Sequence, residues 1–554
     1  MLRAQSANIL AAPLSISSDV THSSTASDGG ILSPHSANTL PVEPVLAIKP
    51  LSVDVVKEEQ APVPLNQQNL SRLSDKISIP TYNRSVLRAG IVHIGQGNFH
   101  RSHMASYLDD LFHLDFENNK DWAIVGGGIM SFDADKRNLL QSQDWLQTLV
   151  QQDGDSSKAK VIGSMIDFLP VDADGRSLLT AMTSPGIKIV SLTVTEGGYF
   201  LNNGAFDPNH PQIQHDINNP DHPKTCFGMM IKALRIRQQE AGLQPFTVLS
   251  CDNIPHNGRV VQSVLLGMAS AIDPVFAQWM KENVACPNSM VDRITPGTTD
   301  KQRQYCREEL GCEDAAPIFC EPYRQWVLED NFPQGRPNLE LLENVTFVPD
   351  VASFEFMKIR ILNGGHASLC YPSALLGVKY VHEAMEHRTI RPFLDALERD
   401  EIIPTVGPVP DTSLPGYYDL IASRFANPTI CDTITRICFG GASNQPKFTI
   451  PVAADNLKAG RKVDGIALVS AMWCKYCQGK TEAGDDIAAN DPQWDRLQAI
   501  ALQASINPQH WLTSLPDVYG SIGNDPTFAA SFAKALQTIE NQGAEAAMKQ
   551  YMSA

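Results

Sequence analysis

Four short runs of this chain are almost continuously apolar: GIVHIG (90–95), WAIVGGGIM (122–130), KIVSLTVT (188–195) and FTVLSCDN (246–253). A strand with one wet face alternates apolar and polar residues, so runs without alternation belong to a sheet covered on both sides. Helical stretches separate them, 223–240 among these, and supply that cover. The span from about 85 to 345 therefore predicts a largely parallel α/β sheet. From about 350 onward the periodicity becomes helical, near 353–386, 390–399, 415–424, 464–478 and 526–552. A sheet domain followed by a helical one leaves a cleft between them, a favoured place for a substrate.

Immediately after the first apolar run the chain reads Gly95-Gln96-Gly97-Asn98-Phe99-His100-Arg101, and a helix follows. Two glycines at a strand-to-helix turn allow backbone to approach a pyrophosphate at the helix N-terminus. The third glycine of the dinucleotide fingerprint is replaced by His100, so the loop taken alone also fits a plain tight turn. Asp133, beyond the second run, is placed to grip an adenosine ribose, with Asp135 a nearby competitor. Either could instead be a solvated carboxylate at a helix start. No arginine follows Ile129 directly to receive a 2′-phosphate, which favours NAD over NADP. The expected fold is thus α/β, a Rossmann-type NAD-binding domain over 66–347 followed by a mainly α-helical substrate-binding and catalytic domain over 348–554. Residues 1–65, with nine serines in the first forty positions and prolines at 34, 41, 44, 50, 62 and 64, read as a disordered extension.

Composition narrows the partners. A formal charge of −17 and a pI near 5.3 oppose wrapping of a phosphate backbone, so no nucleic acid is expected. No apolar run approaches the ~18 residues that cross a bilayer. Eleven irregularly spaced cysteines suit reduced thiols in the cytoplasm. The close pair Cys474 and Cys477 reads as ordinary buried thiols. Arg3 and the early serines are also compatible with a transit peptide, although Asp19 follows and basic residues are sparse. His93, His100 and His103 straddle a strand and a turn, and no metal site is expected from them.

The stretch Glu355-Phe-Met-Lys358-Ile-Arg-Ile-Leu-Asn363-Gly-Gly-His366 carries the chemistry. On an α-helix, Asn363 lies about 140° and His366 about 80° around from Lys358, one broad face. A buried lysine with a lowered pKa can accept a hydroxyl proton, and the other two can hydrogen-bond a developing alkoxide. A solvated lysine, an asparagine at a helix irregularity and a core histidine fit the same residues.

With IVHIGQGNFHRSH (91–103), SLTVTEGGY (191–199), SCDNIPHNG (250–258), MVDRITP (290–296), EPYRQWVLED (321–330) and MKIRILNGGH (357–366), the chain resembles the polyol-specific long-chain dehydrogenases of the mannitol dehydrogenase family from about Asn66 to its end. The resemblance implies a metal-independent oxidoreductase that interconverts a polyol and a ketose with NAD, D-mannitol and D-fructose first. It makes Lys358 the general base, with Asn253 and Asn363 around the alkoxide and His366 orienting the substrate. Asp292 and Arg436 would contact substrate hydroxyls, and Glu355 would exchange the lysine's proton with solvent. Gly95 through Arg101 would form the nucleotide loop, and Asp133 would select NAD. Asn444 stands where a lysine is expected to help bind the polyol. A uronate reductase or an arabinitol or sorbitol dehydrogenase of the same family is the alternative, and a non-catalytic NAD-binding protein the reading from another class. A zinc-dependent polyol dehydrogenase lacks its ligand set here. No partner subunit is called for, and a monomer is expected.

Overall fold

The computed structural model describes residues 61–554 apart from 155, 203 and 241. The first apolar run forms strand β1 (Ala89–Ile94), and helix α1 (Asn98–Ser102) follows directly. The next strands are β2 (Ala123–Gly127), β3 (Met165–Phe168), β4 (Ile189–Leu192) and β5 (Thr247–Ser250). They pair in the order β5-β4-β1-β2-β3, every neighbour parallel. This is the 3-2-1-4-5 order of a doubly wound sheet, whose chain direction reverses between β1 and β4 and opens a crevice at their C-terminal ends. The apolar character of the strands is accounted for by cover on both faces: Val92 and Val190 pack toward one buried cluster and Ile91 and Ile189 toward another.

Helix α2 (Asn257–Ile272) leads to a second, three-stranded sheet of β6 (Ser289–Asp292), β7 (Gln325–Glu329) and β8 (Val345–Val348). Here β7 lies between the other two, antiparallel to β6 and parallel to β8. The sequence reading passed over the antiparallel pair Gln147–Asp153 and Ser156–Ile162, whose polar outer positions hide the strand signal.

The single helix expected over 353–386 is in fact four pieces: α3 (Ala352–Met357), a π-helical turn over Lys358–Asn363, α4 (Gly364–Leu375) and, after a break, Val381–Glu386. Likewise the helix expected over 526–552 breaks at Gly543, which takes φ +87. The helices at 390–397, α5 (Leu414–Phe425) and 464–477 fall where periodicity put them. Together they bury one large cluster around Trp473, Trp511 and Phe528. Cys474 and Cys477 lie inside it as free thiols. No helix among the described residues is long and apolar enough to cross a membrane.

The extension expected over 1–65 is too long. Val63–Pro64 pairs parallel with Cys312–Glu313, and Leu65 is 1 % exposed against Cys306, Cys312 and Phe319. Residues 1–60 lie outside the described part. Leu65→Ala should therefore cost about 2–5 kcal/mol, read as a lower urea midpoint at unchanged m-value. An unshifted midpoint would place Leu65 outside the folding unit.

Candidate active site

The β1–α1 turn sits at the reversal point. Gly95 takes φ +100, and a Cβ there would collide with the carbonyl oxygen of Thr193 just beyond β4, so glycine is required on two counts. Gly97 precedes α1 and has no atom within 4 Å of where a Cβ would stand, which leaves open space before the helix N-terminus. The side chains of this loop serve the protein. Gln96 Nε2 donates to the His93 carbonyl, Asn98 Nδ2 to Pro296 O, and Arg101 to Ala316 O and Asn98 Oδ1. Phe99 stacks on His103, and His100 lies fully buried on His93 with ring centroids 3.4 Å apart. Burial keeps both rings of that pair neutral, His93 being lowered to about 3. Gln96, His100 and Arg101 are buried, while Gly97, Asn98 and Phe99 are partly exposed.

Asp133 stands at the end of β2, in the first turn of the helix Ser131–Gln141. One of its oxygens accepts from the N–H groups of Ile129 and Met130 at 2.9 Å, and the carboxyl packs on Gly128. The carboxylate is thereby fixed at the sheet's C-terminal edge.

A cavity of about 500 Å³ lies beside the end of β5, lined from the sheet part by Asp252, Asn253 and Val291 and from the helical part by Glu355, Lys358, Asn363, Asn444 and Lys447. Lys358 is 7 % exposed, and its Nζ donates to Asn253 Oδ1 at 2.7 Å and to the Val291 carbonyl at 2.6 Å. Burial lowers its pKa. Asp292 opposes that shift, Arg424 reinforces it and Glu355 opposes it. Asn363 Oδ1 is buried in the same wall without a hydrogen-bond partner. The π turn explains how Lys358 and Asn363 come together. An α-helix would set residues five apart well round its axis, whereas i→i+5 bonding stacks them in line. The broad α-helical face drawn from 100° per residue is therefore wrong here. His366 is turned away to stack on Phe425 at 3.9 Å, outside the cavity lining, and burial lowers it to about 3.

Asp292 and Arg436, expected on substrate hydroxyls, are committed elsewhere. Arg424 of α5 donates to both oxygens of Asp292 at 2.8 and 2.9 Å and to both of Glu321 at 2.7 and 2.8 Å, all three side chains buried. Arg436 pairs with Asp432 one helical turn away, Nε to Oδ1 at 2.6 Å. Asn444, on helix α6 (Gly441–Phe448), does reach the cavity, with its Nδ2 donating to Phe439 O. Lys447, unnoticed in the sequence, lines it one turn on and pairs with Glu196 of the sheet part at 3.0 Å. Arg424 was also missed, although it sits on the apolar stripe of Tyr417, Ile421 and Phe425, where a charge needs a buried partner. Among the described residues no group of three or more His, Cys, Asp or Glu is arranged to hold a metal ion.

The mannitol dehydrogenase Rossmann domain matches residues 89–341, and the mannitol dehydrogenase C-terminal domain residues 350–540. The chain belongs to the mannitol dehydrogenase family. A mannitol 2-dehydrogenase of Cereibacter sphaeroides is 49% identical over 483 residues, 87% of this chain and 100% of that one. One from Phaeosphaeria nodorum is 38% identical over 89% of this chain and 86% of that one. Among solved structures, the Pseudomonas fluorescens mannitol 2-dehydrogenase ternary complex with NAD and D-mannitol is similar at a TM-score of 0.79 and 38% identity, covering 89% of this chain and 100% of that one. A substrate-free D-sorbitol dehydrogenase follows at 0.80 and 34%, covering 88% and 100%. The α/β fold, a Rossmann-type part followed by a helical C-terminal part, is thus common to this chain and its relatives.

Arg424 offers the sharpest test of the buried network. Arg424→Met would leave Asp292 and Glu321 buried without the cation hydrogen-bonded to both, a loss of about 3–5 kcal/mol for breaking such a pair. Urea unfolding of the variant checks it, and a change below 1 kcal/mol would mean that water reaches the cluster.

Proposed function

We propose that this cavity oxidises a secondary alcohol of an open-chain polyol to the ketone, with D-mannitol to D-fructose as the reaction and NAD as the cofactor. One observation carries the reading: the Lys358 Nζ is buried, held by Asn253 Oδ1 and Val291 O, and shares its cavity with the unpartnered Asn363 Oδ1. A desolvated amine takes the hydroxyl proton, and the amides of Asn253 and Asn363 steady the oxygen as charge develops on it. NAD, when bound, supplies the acceptor for the carbon-bound hydrogen and its electron pair. The residues present fit it. The open backbone at Gly97 and the first-turn N–H groups of α1 suit the pyrophosphate, and the fixed Asp133 carboxylate suits the adenosine ribose. Similarity to a mannitol 2-dehydrogenase whose complex contains NAD and D-mannitol supports the same pair here.

Asp292 and Arg436 take positioning roles in this reading, Asp292 by holding Arg424 behind Lys358. A uronate is disfavoured because Lys447, a cation in the cavity wall, is already paired with Glu196. We place the division between the two parts at 347/348, in the last residues of β8 and shortly before α3. Eleven free thiols support a reducing, cytoplasmic setting.

Lys358→Ala should lower turnover with mannitol by about 10² to 10⁴, the usual worth of general base catalysis, while NAD still binds. The pH dependence has a definite sign. The amine, lowered from the ordinary value of about 10.4, is the active form for oxidation and the ammonium for ketone reduction. Oxidation must therefore rise with pH and reduction fall across the same interval in steady-state profiles. Near-normal turnover of the variant with an unchanged profile would remove Lys358 from the mechanism.

Asp133→Ala should relax cofactor choice, since the acid hydrogen-bonds a ribose and repels a 2′-phosphate. The ratio of kcat/KM for NAD to that for NADP reports it. An unchanged ratio would move the role to Asp135 or elsewhere.

A further inference from the structure

A second cavity of about 400 Å³ adjoins the one that holds Lys358, and His256, Ser353 and Phe356 line it. Pro255, Glu355 and Ile359 line both cavities, so the Glu355 carboxyl stands in the wall between them. From the outer side His256 meets it twice. Its backbone N–H donates to the two carboxylate oxygens at 3.2 Å each, and its ring Nδ1 lies 3.4 Å from Oε2. The imidazole is 47% exposed, while Glu355 is buried. His256 reaches this arrangement in the left-handed region, φ +52 and ψ +44, directly before α2. That conformation costs a side-chain-bearing residue energy, and here it aims both the backbone N–H and the ring Nδ1 at one carboxyl.

We propose that His256 is the outer carrier of the reaction's proton, taking it from Glu355 and delivering it to bulk water. This rests on the reading of Lys358 as the base. The hydroxyl O–H breaks as Lys358 Nζ gains the proton, which then crosses the inner cavity to a Glu355 oxygen. The Glu355 O–H breaks as His256 Nδ1 gains it and the Nε2 proton leaves to water, after which the ring gives its Nδ1 proton to water and takes one back on Nε2 to regain its starting tautomer. One proton leaves per alcohol oxidised, and the protein keeps none. Four charged or titratable groups face Glu355: Lys358 one turn along its own helix, Asp350 before that helix, Glu329 at the end of β7, and His256 itself. Burial is the largest influence and raises Glu355 to about 7, the His256 N–H opposing it. A carboxyl so poised passes a proton in either direction near neutrality.

The test compares wild type with His256→Asn and His256→Phe in weak buffer, following NADH formation and proton release to an indicator dye in the same stopped-flow trace. Asparagine tolerates the left-handed conformation, so that variant keeps the helix start while removing the ring. With mannitol and NAD, proton release in His256→Asn should lag behind the first turnover's NADH. Its kcat should fall by about tenfold or more with KM unchanged. Added imidazole should restore the rate, at an unaltered melting temperature. Equal rates in wild type and both variants at every buffer concentration would overturn the relay. So would a loss that imidazole does not reverse and that follows a lowered melting temperature, since that is the mark of a structural cap. A wild type that makes NADH without releasing a proton would strike the Lys358 reading itself, and the relay with it.

Discussion

The buried ion network of Arg424 with Asp292 and Glu321 holds the rest of the site in place. Arg424 comes from the helical part, while Asp292 closes β6 and Glu321 follows a strand of the sheet part. Four hydrogen bonds of 2.7 to 2.9 Å tie them across a region that excludes water. Such a network repays the desolvation of its ions only when its geometry is satisfied throughout, so it tolerates little sliding of one part on the other. Val291, the neighbour of Asp292, offers its carbonyl to Lys358. The amine on one part is therefore registered against a strand on the other, and the cavity between them keeps a fixed shape.

The π turn performs the complementary task within the helix. Lys358 and Asn363 are five residues apart, and only a local i→i+5 winding brings them over one another. It also turns His366 aside, where Phe425 covers its ring. An inserted residue of this kind strains the helix on either side, and the helix beyond it carries Gly364 and Gly365 at its start. A Cβ on Gly365 would meet the Glu398 carboxyl at 2.8 Å, so the small residues admit close packing there.

Much of this was legible in the sequence, and the failures share a cause. The apolar runs gave the parallel sheet because burial on both faces leaves a pattern in composition. Gly95 and Gly97 gave the loop because φ and close approach are backbone properties that residue type reports directly. Lys358, Asn253 and Asn363 were found as members of motifs, and the structure gathers them in one cavity. The ion pairs of Asp292 with Arg424 and of Arg436 with Asp432 were not legible, since a sequence does not show which charges folding will bring together. Leu65 escaped because a strand of two residues leaves no periodicity. The π turn escaped because residues 358 to 363 carry no glycine or proline to mark the change of winding.

Charge counting around Lys358 explains why burial decides its protonation. Asp292 and Glu321 contribute two negative charges, and Arg424 and Arg293 two positive ones. Arg293 faces Glu321 while donating to the carbonyls of Glu321 and Ser102. The neighbouring cations are balanced in turn, Arg324 by Asp110 and Lys160 by Asp109 and Asp110. An ammonium at Lys358 would be a charge in a desolvated wall, attracted by Asp292 and Glu355 and repelled by Arg424. Asp292 alone would favour that ammonium strongly, yet its two oxygens are already spent on Arg424, which repels the lysine from the same side. The cost of desolvating the ammonium is the largest influence on Lys358, ahead of the attraction of Asp292 and Glu355, and it favours the neutral amine. A single guanidinium thus fastens two parts of the molecule and also keeps the nearest acid from holding the base in its inactive form.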